Sequence, residues 1–323
     1  MQPEAGWFEL VVTSRKAIAE QVVGLELRSA CGDRLPAFDA GSHIDLETPA
    51  GVVRNYSLCN APGEAYCYEL GILLESGGRG GSRSVHEDLT VGARVRVRGP
   101  RNHFALQPAE HTVLLAGGIG ITPLLAMAEQ LHADGRSFEL HYCVRSRGRA
   151  AFLDRLNARP YADRVHLYLD DCAADRKFDA ERVLGRPSQD TQLYVCGPAG
   201  FIDYVRAAAH AQGWQDARIH FERFSADPQA ACDPGGHFEV VVQGVDGVFT
   251  VAPDQSILQC LGKHGVELPM SCEQGICGTC VMRVVSGEPD HRDMFLTDSE
   301  HQSQLFTPCC SRSRSTRLVL ERI

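Results

Sequence analysis

The stretch Cys272-Glu-Gln-Gly-Ile-Cys277-Gly-Thr-Cys280, with Cys309 and Cys310 about thirty residues further on, decides how this chain is read. Three cysteines spaced C-x4-C-x2-C plus one distant cysteine form the plant-type ligand pattern for a [2Fe–2S] cluster. Gly275 and Gly278 lie within the loop, where a residue without Cβ permits unusual backbone conformations and lets amides turn toward sulfur. Zinc also takes four thiolates, but its usual sequence form pairs two C-x2-C hooks. The spacing therefore favours one-electron chemistry. Cys309 and Cys310 are both available as the fourth ligand, and adjacent side chains do not ordinarily both face one metal.

Outward from this loop, composition sets limits. At 323 residues the chain exceeds one ordinary core and predicts two or three domains. Its apolar and charged fractions are those of a soluble globular protein. A net charge of −9 argues against nucleic acid as a partner, since phosphate backbones need a basic footprint. Met1-Gln-Pro-Glu-Ala-Gly has neither the basic start nor the apolar run of a secretory signal. The thirteen cysteines therefore point to a reducing cytoplasm rather than to disulfides, with Cys59, Cys143 and Cys172 read as buried small hydrophobes. The uncharged stretch 112–128 is too short for a membrane span, and Gly117, Gly118, Gly120 and Pro123 interrupt it.

Residues 7 to about 105 alternate apolar and polar positions in short runs such as Phe8-Glu-Leu-Val-Val-Thr13 and Tyr68-Glu-Leu-Gly-Ile-Leu-Leu74. That period of two predicts a half-buried antiparallel sheet, and several such strands predict a small barrel. From about 110 to 224, strands such as Val113-Leu-Leu-Ala116 and Gln192-Leu-Tyr-Val-Cys196 alternate with helical stretches at 124–133, 152–157 and 199–212. This alternation predicts a parallel sheet covered by helices. A stretch rich in Pro, Gly and small residues follows, and a third unit starts at His237. The expected domains are 1–106, 107–226 and 237–323, with a linker at 227–236.

Gly117-Gly-Ile-Gly-Ile-Thr-Pro123 sits between a strand and a helix, where backbone amides and the helix N-terminus favour a phosphate. Tyr194-Val-Cys-Gly-Pro198 repeats the arrangement at a later strand end, where ligands of open α/β sheets collect. In Arg54-Asn-Tyr-Ser-Leu58, Arg54 and Tyr56 share one strand face and Ser57 takes the other. An arginine there can pair a phosphate, a tyrosine can pack on a ring and a serine can bond a ring nitrogen. Gly77-Gly-Arg-Gly-Gly-Ser82 reads either as an anion nest or as a hairpin tip.

Taken in order, these five motifs make the chain resemble the phthalate dioxygenase reductase family, which includes vanillate O-demethylase reductases, and the resemblance spans essentially the whole sequence. It implies an antiparallel flavin-binding β-barrel, a parallel-sheet α/β nucleotide-binding domain of the ferredoxin reductase type and a C-terminal β-grasp ferredoxin domain. By residue match, Arg54, Tyr56 and Ser57, together with Ile72, Gly80, Gly81 and Ser82, would hold FMN. Gly118, Gly120, Thr122, Cys196 and Gly197 would border the nicotinamide of NADH, and Phe224 would stack on the flavin where that ring enters. Asp170 would bond ribose hydroxyls, although Arg145 and Arg147 leave NADPH open. Relatives follow the fourth cysteine by one residue and then Ser-Arg, which selects Cys309 beside Cys272, Cys277 and Cys280. The implied activity is electron transfer from NADH through FMN and [2Fe–2S] to a Rieske-type oxygenase component, with Ser57, Thr122, Cys196 and Phe224 around the reacting rings. A redox-sensing regulator and the electron-transfer subunit of another complex are the alternatives. No motif for nucleic acid or membrane attachment accompanies them.

Overall fold

The computed structural model describes residues 6–323 except 76, 78, 79, 174–176, 189 and 225–235. The expected linker at 227–236, apart from Gly236, and Gly78 and Arg79 of the glycine-rich stretch therefore lie outside the described residues. The chain divides into two compact units, Met1–Phe224 and Ser225–Ile323.

The first unit begins with β1 (Phe8–Ala19), β2 (Val22–Arg28), β3 (Ser42–Glu47), β4 (Val53–Ser57), β5 (Tyr68–Leu73), α1 (Gly81–Asp88) and β6 (Arg94–Asn102). The six strands form one antiparallel sheet in the order β4-β3-β6-β1-β2-β5. Its two edges meet where Leu58 bridges Leu70, and the Cys59 amide donates to Glu69 O at 2.9 Å, which closes the sheet. Alternate residues Leu25, Leu27, Ile44, Leu46, Leu58 and Leu70 fill the interior, as the period-two reading requires.

One element departs from that reading. The glycine-rich stretch opens a helix: Gly80 takes a left-handed φ of 86° and α1 begins at Gly81. Glycines at its start lower helix propensity and conceal it in the sequence. Packing overrides that bias, because Val85 and Leu89 are buried against the barrel core and His86 Nε2 lies 2.9 Å from Ile72 O.

The same unit continues with β7 (His111–Gly117), α2 (Ile121–Ala133), β8 (Ser137–Val144), α3 (Leu153–Asn157), β9 (Val165–Leu169), α4 (Ala180–Leu184), β10 (Thr191–Gly197), α5 (Ala199–Ala211) and β11 (Ile219–Arg223). All five strands are parallel, in the order β11-β10-β7-β8-β9. One face packs on α2 and the other on α4 and α5, so the central run Val113–Ala116 is apolar throughout rather than alternating. β11 was not legible, since Ile-His-Phe-Glu-Arg carries too few apolar residues for a clear period. Cys59 is buried as expected, whereas Cys143 and Cys172 are only partly covered.

The second unit comprises β12 (Phe238–Val242), β13 (Phe249–Val251), α6 (Ile257–Lys263), β14 (Met282–Ser286), β15 (Pro289–Asp290), α7 (Asp298–Gln302), β16 (Leu305–Phe306), β17 (Arg312–Ser313) and β18 (Arg317–Arg322). Its five-stranded sheet runs β13-β12-β18-β14-β16, with β12 and β18 parallel and the other pairs antiparallel. Ile257, Cys260 and Leu261 of α6 fill the core against it, and a capping box from Ser256 and Gln259 starts that helix. This is the β-grasp expected.

Among the described residues no helix is long and apolar enough to cross a membrane. Leu320, wholly buried on the central strand β18, tests the core of the second unit. Leu320→Ala should cost about 2–5 kcal/mol, read as a lower urea midpoint by circular dichroism. An unchanged midpoint would contradict the central placement of β18.

Candidate functional site

The cysteine loop runs from the end of α6 to β14 and is shaped by its glycines. Gly275 and Gly278 both take left-handed φ values, 70° and 68°. A Cβ on Gly275 would lie 2.4 Å from Cys310 Sγ, and one on Gly278 only 2.3 Å from the Phe295 ring. Neither conformation nor space admits a side chain. The loop so formed gathers the thiols: Cys272 is in hydrogen-bond reach of Cys277 and Cys309, and Cys309 also of Cys280. The Gln274 amide donates to Cys272 Sγ at 3.3 Å, and Cys277 Sγ lies 3.2 Å from Thr279 Oγ1.

Hydrogen bonds from Cys277 first, then Cys309, and from the Ile276 and Gln274 amides pull the Cys272 thiol down to about 2. Cys277 and Cys309 are pushed up in turn. Four sulfurs thus crowd a pocket whose amides favour thiolate, which suits a group bearing iron. Cys310 Sγ is in hydrogen-bond reach of Cys309 and lies 3.5 Å from Thr307 Oγ1 and 3.8 Å from Ser311 Oγ. The residues fit a four-cysteine cluster.

In the first unit, Arg54 and the glycine-rich stretch come together although they are far apart in sequence. A Cβ on Gly81 would sit 3.0 Å from both Cγ and Nε of Arg54. The guanidinium therefore lies beside the N-terminus of α1, where unpaired amides and the helix dipole favour an anion. Ser82 Oγ accepts from the Glu75 amide at 2.9 Å. Tyr56 shares the Arg54 face and packs on the barrel core, where burial raises its hydroxyl to about 12 against the lowering effect of Arg54. Ser57 is buried on the opposite face at the end of β4. This cradle fits a phosphate-bearing ligand.

The two glycine turns of the parallel sheet are pressed together. A Cβ on Gly120 would lie 2.1 Å from Cys196 O, and one on Gly197 would lie 3.0 Å from Gly117 Cα. Gly118 differs: its φ is 55°, and an added Cβ would meet nothing within 4 Å, so that turn is open on its outer side. Buried Thr122 donates to Ile119 O at 3.0 Å, and its methyl would lie 3.0 Å from a Cβ on Gly71, next to buried Ile72 in β5. The nucleotide turn thus abuts the barrel wall. Asp170 is exposed after β9 with its amide on Val144 O (3.0 Å), while the Asp171 amide donates to Arg145 O (3.2 Å). The competing ribose and phosphate readers are therefore neighbours.

Cys196 is fully buried, and burial, then Glu222, raises its thiol. Glu222, paired in register with Cys196 across β10 and β11, was not singled out from the sequence. Its Oε2 is sealed with no hydrogen-bond partner, and burial raises the carboxyl to about 8. The signal available was a lone acidic residue amid the aromatics Phe221 and Phe224. Phe224 follows β11 and remains 39% exposed.

Comparison with known proteins agrees with this geometry. The family described as 2Fe-2S iron-sulfur cluster binding domain matches residues 240–314, and the oxidoreductase NAD-binding domain family matches residues 114–207. The chain is 46% identical over 315 residues to a vanillate O-demethylase oxidoreductase from Pseudomonas sp. strain HR199, covering 97% of this chain and 99% of that protein. Among solved structures it matches phthalate dioxygenase reductase, described as a modular structure for electron transfer from pyridine nucleotides to [2Fe–2S], with a TM-score of 0.76, 37% identity and 98% of each chain covered. It also matches part of an intact type IV self-sufficient cytochrome P450 monooxygenase, with a TM-score of 0.84 and 39% identity, over 97% of this chain and 41% of that one.

Glu222 makes stability depend on pH. Because its folded carboxyl titrates near about 8, the folded protein keeps a proton that the unfolded chain has released. This group therefore lowers stability as pH rises from the ordinary carboxylate range toward 8, by at most about 1.4 kcal/mol per pH unit. Glu222→Gln should flatten that decline in urea midpoints measured between pH 5 and 8. An unchanged slope would refute the assignment.

Proposed function

The chain belongs to the family of vanillate O-demethylase oxidoreductases and phthalate dioxygenase reductases, and on that premise we propose that it is the reductase component of a two-component Rieske-type oxygenase, carrying electrons from NADH through FMN and a [2Fe–2S] cluster to the oxygenase protein. The observation that carries this reading is the convergence of the Cys272, Cys277, Cys280 and Cys309 thiols in a chain that also has a phosphate cradle and a nucleotide turn. When bound, the flavin supplies a centre that takes a hydride and returns electrons singly, and the cluster a one-electron store.

The protein's own part is to bind, orient and exclude. Arg54 and the amides from Gly80 to Ser82 hold the flavin phosphate, and Tyr56, Ser57 and Ile72 line the ring side. Phe224 would cover the ring face, and Gly118, Gly120, Thr122, Cys196 and Gly197 would border the nicotinamide. Partly buried Glu222, whose sealed Oε2 lies beside Cys196 and whose carboxyl burial raises to about 8, would carry a proton rather than a negative charge there. Asp170 accepts from ribose hydroxyls and disfavours a 2′-phosphate, which selects NADH. Cys272, Cys277, Cys280 and Cys309 ligate the iron. The reaction needs no nucleophile. A reducing cytoplasm suits thiols that form no disulfide among the described residues.

Anaerobic titration of the purified protein with NADH, followed by absorbance and electron paramagnetic resonance, tests the reading. Flavin bleaching with a rhombic [2Fe–2S] signal is the expected result. Cys309→Ser should abolish that signal and Cys310→Ser should retain it. Flavin reduction with no cluster signal in the unmodified protein would reduce the function to that of a simple flavin reductase.

A further inference from the structure

The second unit carries a group of metal-type ligands separate from the four cysteines. His291 follows β15, Asp293 sits in the turn after it, and His301 lies on α7. One ligand atom from each falls within 4.8 Å of the other two. His301 Nε2 is 3.1 Å from Asp293 Oδ1, and His291 Nδ1 is 3.9 Å from the same oxygen. A tetrahedral ion with bonds of 2.0–2.2 Å holds its ligand atoms about 3.3–3.6 Å apart. The two observed spacings bracket that edge.

The Asp293 carboxylate is wholly buried, and the two histidine side chains are 20% and 21% exposed. An ion can therefore reach the group and still be sheltered in it. The imidazoles stack at 3.9 Å between centroids and 24° between planes, so two protonated rings would repel each other. His291 Nδ1 is sealed from solvent with no hydrogen-bond partner, a cost that a buried polar atom ordinarily avoids.

We propose that His291, Asp293 and His301 form a second metal site in this protein, for a divalent transition cation of the zinc type. Two imidazoles and one carboxylate are borderline ligands that suit zinc, and three protein ligands leave a fourth position for water. The site reaches the cysteine loop directly. The Met294 amide donates to Gly275 O at 2.9 Å, and Asp293 Oδ2 accepts from the Leu296 amide at 2.8 Å. A cation on Asp293 therefore braces the turn that supports Gly275. The other histidine group, Glu139, His141 and His166, is the weaker candidate. There the Glu139 side chain is 48% exposed, so no buried carboxylate anchors the group.

Calorimetric titration of the cluster-loaded protein with zinc chloride, with visible absorbance followed in parallel, tests the site. One equivalent should bind without loss of absorbance. His291→Ala and His301→Ala should each weaken binding by at least about tenfold, and His166→Ala should leave it unchanged. Zinc-edge X-ray absorption of the unmodified protein reads the ligands even if a variant fails to fold, and nitrogen and oxygen scatterers are expected. Absence of binding, binding lost only in His166→Ala, absorbance falling as zinc is taken up, or sulfur in the zinc shell would each overturn the proposal.

Discussion

Three places in this molecule must accept concentrated negative charge, in a chain that already carries a net charge of −9. That constraint shapes the sites more than any single side chain does. It is met mainly by backbone amides, presented where glycine takes left-handed φ: Gly80 before α1, Gly118 before α2, and Gly275 and Gly278 in the cysteine loop. Amides carry no formal charge, need no counter-ion and keep their direction. Arg54 adds one full positive charge, placed against a helix N-terminus where the two effects act together.

Rigidity of the first unit follows from where the barrel and the parallel sheet touch. Gly71 of β5 receives Thr122 and the Phe152 ring on one spot, since a Cβ there would lie 3.0 Å or less from each. Arg155 of α3 pairs with Glu69 of β5 and with Glu129 of α2, and Arg159 pairs with Glu129 at 2.7 Å. Partly buried ion pairs add little net stability, but they penalise alternative dockings that would leave a charge unpaired. The glycine turns at Gly120 and Cys196 are held against β5 by these contacts.

What was legible in the sequence was whatever is local. Cluster-ligand spacing is read along the chain, so the cysteine loop and its four thiolates stand out, as does the alternation of strand and helix from 110 to 224. Helix α1 was hidden because its evidence is distant: Val85 and Leu89 have meaning only against the barrel interior. Glu222 was hidden for the same reason, since only the β10–β11 register sets it beside Cys196. The residue match proposes a phosphate role for Arg54 but not its neighbour Gly81, which is a fact of folding. Spacing alone does not separate Cys309 from Cys310, and the selection of Cys309 rests on the residue match to relatives.

The turn that aims Cys309 inward leaves Cys310 on the next peptide, so five sulfurs crowd a region that needs four. In the proposed ligand set the fifth, Cys310, is not used and packs against Gly275. Once iron is lost in air, the loop becomes a set of adjacent thiols with a low-lying thiolate at Cys272 among them, and thiolates are the forms that oxidants attack. Rebuilding the cluster then requires a reductant before it requires iron. The same crowding that makes the loop a ready receiver of metal makes the emptied protein perishable.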